Sequence, residues 1–363
     1  MKKVLIVSCD GLGNGGIQHV MMNIVRNLSG EFHFDMLLFT HEVRHFDAEF
    51  QKYGTIFRIP NYKGPSKLRR KLDGYVRFWR IYQGVKKILQ ENGPYDVIHC
   101  HNYFEAAPCL LAAKHCQVPI RISHSHSAPQ YTHFLTKIHQ ILLRSILVNN
   151  ATHLVGCSKN ACNYLFGKTS NAKSVPNAID LKRFDRLHYS QPKIKHSFIH
   201  VGSLGIPKNQ SFVLDVFKAI QTHWPDATLK LIGNKNESYE KILRQKIADL
   251  HLENVEFLPH HSDIPALLAQ SEYMIFPSLF EGFGLALVEA QAMQVKCVAS
   301  NTVPRETDIG LCQYLPLKQS PEQWAQAVLD MSDKPIPQPN TQGVDLNCYI
   351  DKIRSLYLSG EKQ

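Results

Sequence analysis

The sequence predicts an α/β protein of two domains, each a doubly wound parallel sheet. A chain of 363 residues is too long for one ordinary hydrophobic core. Short apolar runs alternate with longer segments of helical spacing, and the pattern starts again after Pro176–Asp180. Such alternation is typical of parallel strands covered by helices on both faces. We therefore predict an N-terminal domain over residues 1–178 and a C-terminal domain over residues 179–344.

Short apolar runs are predicted to form the strands. Five of them lie in the N-terminal domain: Lys3–Ser8, Phe34–Phe39, Val97–Cys100, Ile120–His124 and His153–Cys157. Another five lie in the C-terminal domain: Ser197–Val201, Thr228–Ile232, Val255–Leu258, Tyr273–Phe276 and Lys296–Ala299. Ligands bind sheets of this kind at the carboxyl ends of the strands, which places the predicted active site in a deep cleft between two facing domains.

The composition is that of a globular protein, with 44% apolar and 20% charged residues. No run approaches the roughly 18 uninterrupted apolar residues of a membrane span, and Met1–Ser8 has the pattern of a strand rather than of a signal peptide. The nine cysteines are odd in number and include no Cys-x-x-Cys pair, so we predict reduced, buried thiols. These observations predict a cytoplasmic location.

Positive charge is concentrated in the first half of the chain. Residues 1–180 contain 22 Lys and Arg against 11 Asp and Glu, whereas the remainder contains 19 against 20. Basic and aromatic residues interleaved on a helix suit an anionic membrane surface, where each cation contributes about 1 kcal/mol. A solvated helix with a buried aromatic stripe is the alternative, and no motif supports a nucleic acid partner. We predict peripheral attachment to the inner face of the cell membrane through Lys63, Lys67, Arg69, Arg70, Lys71, Arg77, Arg80, Lys86 and Lys87, interleaved with Tyr75, Phe78, Trp79 and Tyr82.

The stretch Phe276–Ala292 contains a strand that passes into a helix through a glycine-bearing turn. The strand ends at Phe276, and helical spacing begins at Leu285. The backbone N–H groups of Gly284, Leu285 and Ala286 have no partner within such a helix, and the positive end of the helix dipole lies beside them. The sequence therefore predicts an anion-binding site at this turn.

Two carboxylates, Glu281 and Glu289, flank the predicted anion site. Glu281 lies in the loop, and Glu289 lies roughly 12 Å farther along at 1.5 Å per residue. Carboxylates accept hydrogen bonds from hydroxyl groups, so the pair suits a ligand with a polyol on each side of a diphosphate, as in a nucleotide sugar. The alternative interpretation is that Glu281 lies in an exposed loop and Glu289 on a solvated helix surface, as is common for such pairs.

The segment Glu281-x7-Glu289 resembles the E-x7-E signature of the retaining glycosyltransferases of family 4. The residues around it, Pro277–Gly282 and Val288–Ala292, are similar to the branch that builds capsular and exopolysaccharides. This resemblance implies the GT-B fold, in which two Rossmann-like domains face each other across a deep cleft. It implies an acceptor-side N-terminal domain and a nucleotide-sugar-binding C-terminal domain, with a last helix, about residues 345–363, that packs back on the first domain.

A glycine-rich loop, Cys9–Gln18, opens onto the first predicted helix, His19–Leu28. Glycines permit a positive φ and a close approach of the backbone to a ligand, although a structural turn accounts nearly as well for such a loop. The dinucleotide fingerprint fits poorly, because no acidic residue ends the next strand. The loop is similar to the family's loop that faces the sugar diphosphate, and we assign this role to Gly15 and Gly16.

The segment His200–Asn209 resembles the family's Gly-Arg-Leu…Lys-Gly segment, in which an Arg and a Lys hold the diphosphate. Lys208 matches the Lys, whereas Ser203 stands in the place of the Arg. One of the two cations that neutralise the leaving phosphates is therefore missing, and Arg305 is a candidate substitute. The segment Val175–Asp180 resembles the family's Pro-Asn-Gly-(Ile/Val)-Asp linker, with alanine in the place of the glycine.

Two His-x-His pairs, His99 with His101 and His124 with His126, end consecutive strands. Alternate residues of a strand share a face, so a metal site is conceivable, but no third ligand with matching spacing is evident and we predict no metal. The segment Ser123–Ser127 resembles the family segment whose histidine lies near the transferred sugar. We assign this role to His126, with His124 as the competing choice. The absence of an Asp-x-Asp sequence disfavours a metal-dependent GT-A enzyme.

These observations predict a retaining, metal-independent hexosyltransferase without a cofactor. The resemblance implies a nucleotide-sugar donor, UDP-linked in this branch, a lipid-linked glycan acceptor, and same-face transfer in which the departing β-phosphate assists deprotonation. Two alternatives stay open: a catalytically silent GT-B homologue that acts as partner or scaffold of an active transferase, which Ser203 favours, and a GT-B nucleotide-sugar epimerase or inverting transferase. The predicted catalytic residues are Glu281, Lys208 and His126, and the predicted donor-binding residues are Gly15, Gly16, Ser203, Lys208, Gly284, Leu285 and Glu289.

Overall fold

The computed structural model describes residues 1–59, 70–126, 134–168, 170–234, 236–259 and 263–359. The chain divides into two compact units. The first unit consists of residues 1–177 together with 347–363, and the second consists of residues 178–346.

The first unit is built on a parallel sheet of seven strands: β1 (Lys2–Ser8), β2 (Phe32–Leu38), β3 (Ile56–Arg58), β4 (Val97–Cys100), β5 (Ile120–Ser125), β6 (His153–Gly156) and β7 (Lys173–Ser174). Its helices are α1 (Gly16–Leu28), α2 (Asp47–Phe50), α3 (Arg70–Asn92), α4 (Ala106–His115), α5 (Phe134–Asn150), α6 (Lys159–Phe166) and the last helix, α12 (Leu346–Leu358). The strand order is β3-β2-β1-β4-β5-β6-β7, so the direction of winding reverses between β1 and β4.

The second unit is built on a parallel sheet of six strands: β8 (Ser197–Val201), β9 (Thr228–Gly233), β10 (Val255–Pro259), β11 (Tyr273–Phe276), β12 (Lys296–Ser300) and β13 (Cys312–Leu315). Its helices are α7 (Gln210–Gln221), α8 (Glu237–Asp249), α9 (Ile264–Gln270), α10 (Leu285–Ala292) and α11 (Pro321–Ser332). The strand order is β10-β9-β8-β11-β12-β13, with the reversal between β8 and β11. The predicted fold class of two doubly wound parallel sheets is confirmed.

The central strands are fully buried, as expected for strands covered on both faces. In β1 the side chains from Val4 to Val7 are all inaccessible to solvent, and β1 pairs in parallel with β2 on one side and β4 on the other. Helix α1 buries an apolar stripe of Val20, Ile24 and Leu28, at the spacing of one helix face. Burial of this kind fixes the register of the sheet and therefore where its loops emerge.

Three strands were not predicted from the sequence: β3, β7 and β13. All three are short and partly exposed, and two of them are the outer strands of the first sheet. An edge strand is covered less completely than a central one, so its sequence lacks a continuous apolar run. The start of α1 was also predicted too late, since the helix begins at Gly16 rather than at His19, with Gly15 as its extended N-cap residue.

Helix α12 packs within the first unit. Its Tyr357 is fully buried and its hydroxyl lies 2.8 Å from His99 Nδ1 of β4. Arg354 forms an ion pair with Glu31 at 2.9 Å. The end of the chain is therefore tied to the first sheet.

Five of the nine cysteines are buried. In the described ranges, none of the helices is both long enough and apolar enough to cross a membrane.

Candidate active site

Glu281 is held at the end of β11 by two partners. The side chain is 10% exposed and forms an ion pair with Lys208 Nζ. The same carboxylate oxygen, Oε1, accepts a hydrogen bond of 2.8 Å from Ser278 Oγ. A carboxylate held by two donors keeps one orientation, and its second oxygen remains available for a ligand hydroxyl.

The loops that follow β8 and β11 are joined by one backbone hydrogen bond and one from a side chain. Leu279 N donates to the Pro207 carbonyl at 2.9 Å, and Asn209 Nδ2 donates to the Pro277 carbonyl at 3.2 Å. Within the sheet, His200 Nδ1 lies 2.8 Å from the Ile275 carbonyl. The adjacency of β8 and β11 therefore brings Lys208 to Glu281, although 73 residues separate them in sequence.

Gly202 makes room for Lys208. A Cβ atom at Gly202 would lie 3.2 Å from both Cγ and Cδ of the lysine, closer than side chains usually pack. The stem of Lys208 therefore crosses the backbone closely at Gly202, and a larger residue there would require the lysine stem to shift by a few tenths of an ångström.

Gly284 is the N-cap of α10 and has a left-handed backbone, with φ at +108°. This conformation favours glycine strongly, and a Cβ here would also lie 3.5 Å from Val303 Cγ1. Helix α10 then begins at Leu285, and the N–H groups of its first turn lack partners within the helix. The strand, turn and helix of the predicted anion site are therefore present; binding of an anion there stays a prediction.

Glu289 is the fifth residue of α10 and is half-buried. Burial raises the pKa of its carboxyl from the ordinary value of 4.5 to about 7, and the charge of nearby Arg183 opposes this shift. The protonated form is therefore well populated in the free protein near neutral pH. Arg183 was not singled out by the sequence analysis, because 106 residues separate it from Glu289.

Ser203 is exposed at the end of β8, and its carbonyl accepts a hydrogen bond of 3.1 Å from Gln210 Nε2. Its hydroxyl provides no charge in place of the expected guanidinium. Arg305, the candidate substitute, lies in the 3-10 turn Arg305–Thr307, with its guanidinium carbon 3.9 Å from the centre of the Tyr314 ring. Arg305 therefore has a stacking partner in this structure, and its role as a second cation stays a prediction.

In the first unit, the glycine-rich loop between β1 and α1 is compact. Gly13 N donates to the Gly11 carbonyl at 2.8 Å, and Gln18 Nε2 donates to the same carbonyl at 3.3 Å. The positive φ values of the described glycines occur elsewhere in the chain, so this loop uses glycine for close packing rather than for a left-handed backbone. Gly15 and Gly16 begin α1 and direct the N–H groups of its first turn to the carboxyl end of the sheet.

Four buried histidines occupy the ends of β4 and β5, where the two His-x-His pairs were noted. His99 Nε2 lies 3.2 Å from His124 Nδ1, and His101 Nδ1 lies 2.8 Å from His126 Nε2. One ring nitrogen from each of His99, His101 and His124 lies within 4.8 Å of the others, which makes these three the candidate ligands for a metal. Desolvation lowers the pKa of His126 to about 3 and the pKa values of the other three well below 6.5, so all four rings are neutral.

The structure thus gathers one set of the predicted site residues in each unit. Ser203, Lys208, Glu281, Gly284, Leu285 and Glu289 belong to the second unit, where the strand order reverses between β8 and β11. Gly15, Gly16 and His126 belong to the first unit, near the reversal between β1 and β4. Ligands bind doubly wound sheets at these reversals.

Two family models match the chain. The model described as Glycosyltransferase Family 4 matches residues 14–183, and the model described as Glycosyl transferases group 1 matches residues 195–334. Together they span most of the chain. The protein therefore belongs to the family 4 and group 1 glycosyltransferases, and its two sheets form the GT-B fold.

The curated relatives include transferases of surface polysaccharides. EpsF of Bacillus subtilis, named as a glycosyltransferase, is 28% identical, covering 90% of this chain and 87% of its own. The capsular polysaccharide biosynthesis glycosyltransferase CapH of Staphylococcus aureus is 22% identical over 96% of each chain. An Escherichia coli UDP-Gal:alpha-D-GlcNAc-diphosphoundecaprenol alpha-1,3-galactosyltransferase is 24% identical over 75% of this chain and 77% of its own.

Among solved structures, HepE of Anabaena in complex with UDP has the same fold. The two superpose with a TM-score of 0.77, covering 99% of this chain and all of the other, at 18% sequence identity.

The raised pKa of Glu289 predicts a pH-dependent effect of Glu289→Gln on stability. The protonated carboxyl contributes its full stability below pH 4.5 and loses it as the pH rises through about 7. Glutamine cannot ionise, so the melting temperature of the variant should rise relative to wild type between pH 5 and 8, by about 2–4 °C for each kcal/mol that ionisation costs. Thermal unfolding across this range measures the difference. Glu253→Gln, an exposed site, should give a pH-independent difference; a flat profile for Glu289→Gln as well would contradict the assignment.

Proposed function

We propose that the protein is a retaining, metal-independent hexosyltransferase that transfers a hexosyl group from a UDP-sugar to a lipid-linked glycan in surface polysaccharide biosynthesis. The observation that supports this most strongly is the contact between Lys208 and Glu281 at the ends of two adjacent strands. It places a cation beside a carboxylate in a loop that runs directly into the first turn of α10.

Stabilisation of the departing diphosphate carries most of the catalysis in this proposal. Donors that face developing negative charge lower the barrier when they are already oriented in the resting enzyme. In the second unit we assign this role to Lys208 and the N–H groups of Gly284 and Leu285. For the N–H groups of Gly15 and Gly16 in the first unit, a role toward the diphosphate is what the resemblance to the family implies. The sugar's bond to the β-phosphate breaks, the acceptor oxygen bonds to the same carbon on the same face, and the acceptor's proton passes to the departing phosphate.

The carboxylates and His126 position the donor. Glu281, already oriented by Ser278, accepts hydrogen bonds from hydroxyl groups of the sugar. Glu289 accepts from the two ribose hydroxyls, for which it must ionise. His126 lies just past the end of β5, 9% exposed, and contacts the transferred sugar, whereas His124 is fully inaccessible.

Relatives support the choice of donor and acceptor. HepE was solved with UDP, and the E. coli relative is named for transfer from UDP-galactose to a diphosphoundecaprenol-linked sugar with an alpha linkage. UDP-galactose is itself an α-glycoside, so an alpha product corresponds to retention. CapH is named for capsular polysaccharide biosynthesis, which supports the same role here.

A lipid-linked acceptor requires contact with a membrane, and the first unit has an exposed apolar surface suited to it. Its members lie on α3 and α5, which approach each other where a Cβ at Gly74 would lie 3.6 Å from His139. We call this surface the α3–α5 patch: Tyr75, Val76 and Trp79 on α3, with Ile138, Ile141 and Leu142 on α5. Aromatic and aliphatic side chains on helices beside cations are typical of interfacial binding.

The alternative interpretation of α3, a solvated helix with a buried aromatic stripe, is correct only in part. Tyr82 is 7% exposed, but Tyr75 is 66% and Trp79 40% exposed. Arg77 forms an ion pair with Glu105 at 3.1 Å, which reduces the charge it offers to a lipid surface. The cations Lys63, Lys67 and Arg69 of the same prediction lie outside the described residues. We propose peripheral attachment on the cytoplasmic side through the α3–α5 patch.

Nucleotide-sugar binding tests the proposed donor site. In calorimetry with EDTA, one UDP-sugar should bind in preference to GDP- and ADP-sugars. Glu289→Ala should weaken this binding by about 1.5–3 kcal/mol for each ribose hydrogen bond lost to the charged acceptor. Glu281→Gln should lower turnover more than affinity, and Glu253→Ala, before the amino end of β10, should match wild type. Wild-type protein that binds none of these donors would refute the proposal and favour the silent partner, for which pull-down with an active transferase is the next experiment.

Vesicle co-sedimentation tests the membrane contact. With vesicles containing phosphatidylglycerol, replacing Trp79, Ile141 and Leu142 together by serine should weaken binding on the order of 10-fold or more, because apolar area no longer leaves water. Leu187→Ser is the matched control, since Leu187 is 88% exposed and lies in the second unit. Equal binding by wild type and the triple variant would exclude the patch as the contact surface.

A further inference from the structure

The four histidines of β4 and β5 form two hydrogen-bonded pairs that stack on each other. Within each pair the rings are nearly parallel, inclined by 5° for His99 with His124 and by 13° for His101 with His126. Their centres are 5.4 and 5.0 Å apart, as expected when two rings meet edge to edge in one plane. Between the pairs, His124 stacks on His126 with ring centres 4.1 Å apart, and His99 contacts His101 with centres 4.0 Å apart and the rings tilted by 36°.

This arrangement is better suited to hydrogen bonding than to metal binding. A metal requires lone pairs that converge on one point, about 2.0–2.1 Å from each nitrogen for zinc. Here the close nitrogens, such as His99 Nε2 and His124 Nδ1, point at each other within a shared plane. Tyr357 extends that pair through its hydroxyl, 2.8 Å from His99 Nδ1.

The second pair fixes the state of His126. One hydrogen bond joins His101 Nδ1 and His126 Nε2 at 2.8 Å, and in a neutral pair only one of these two atoms carries the proton. The proton position at this bond therefore determines whether His126 Nδ1 is an N–H donor or a bare acceptor. Among the described residues, His126 Nδ1 is buried and has no hydrogen-bond partner. A buried polar atom of this kind calls for a hydrogen-bond partner, and a hydroxyl of a bound ligand can supply one.

We propose that His101 is a positioning residue, which orients the His126 ring and sets its tautomer so that Nδ1 meets a hydroxyl of the transferred sugar. The inference rests on the proposed function, in which His126 contacts that sugar. His101 is 3% exposed, and its ring contacts that of His99 while it bonds His126, so its own orientation is held from two directions. His101 itself makes no contact with the reacting atoms in this account.

Two substitutions of His101 separate positioning from packing. His101→Leu removes the bond to His126 and keeps apolar volume, whereas His101→Asn places a polar atom near the position of Nδ1. The rate of UDP release, measured with UDP-glucose, UDP-galactose and UDP-N-acetylglucosamine in turn, identifies the donor that the enzyme uses. For that donor, His101→Leu should lower kcat on the order of 10- to 100-fold with little change in KM, because misorientation of a substrate-contacting group has effects of this size. His101→Asn should recover much of the loss at equal thermal stability.

His115→Leu is the matched control, because its Nδ1 lies 2.8 Å from the Tyr82 hydroxyl in the same unit, away from the histidine pairs. The control should retain wild-type kcat. If kcat falls equally in His101→Leu and His101→Asn, or if kcat follows the melting temperature in all three variants, His101 has only a structural role and the proposal is overturned.

Nitrogen NMR of the full chain labelled in its histidines gives a readout independent of activity. In wild type, His126 should show one fixed tautomer that does not titrate between pH 5.5 and 8.5, and in His101→Leu it should exchange between tautomers. A fixed tautomer in a protein that turns over none of the three donors would refute the proposed function and, with it, the positioning role. Turnover with an unchanged tautomer in His101→Leu would refute the positioning role alone.

Discussion

The ion pair between Lys208 and Glu281 is the contact on which the donor site depends. It lies where β8 and β11 run side by side, and it is supported by hydrogen bonds from Leu279 to Pro207 and from Ser278 to Glu281. A half-buried lysine held against an oriented carboxylate is already in place, which is the condition for stabilising a leaving group without reorganisation. The pair also has a consequence for charge, because Glu281 offsets the cation before any diphosphate arrives.

Because Glu281 offsets the charge of Lys208, the backbone N–H groups contribute a larger share of the positive potential at the proposed phosphate site. Ser203 contributes no charge, and the Arg305 guanidinium is stacked on Tyr314, so Lys208 and the N–H groups of α10 remain as the positive groups at the proposed phosphate site. The positive φ of Gly284 then matters for function as well as for the turn, because it directs the start of α10. The same helix also carries Glu289, whose pKa is raised by partial burial of its carboxyl.

Apolar runs in the sequence predicted the central strands of both sheets nearly to the residue, because burial on both faces demands continuous hydrophobic sequence. The outer strands β3 and β7 do not require a continuous hydrophobic sequence, and they were not predicted. The spacing between Glu281 and Glu289 identified the site, yet the partner of Glu281 depends on strand order, which local pattern does not encode. The His-x-His spacing placed two rings on one face of each strand, but the pairing across strands and the bond to Tyr357, 258 residues from His99, arise only in the folded chain.

In this proposal a nucleoside diphosphate binds to the loops after β8 and β11. Hydrogen exchange measured with and without UDP tests that binding at the backbone amides concerned. We expect slower exchange of the backbone amides in residues 202–210 and 281–290, because the N–H groups of these loops and of the first turn of α10 contact the phosphates. The amino ends of the same strands should be unaffected. Protection confined to other regions, or no protection at UDP concentrations that saturate related transferases, would contradict the account.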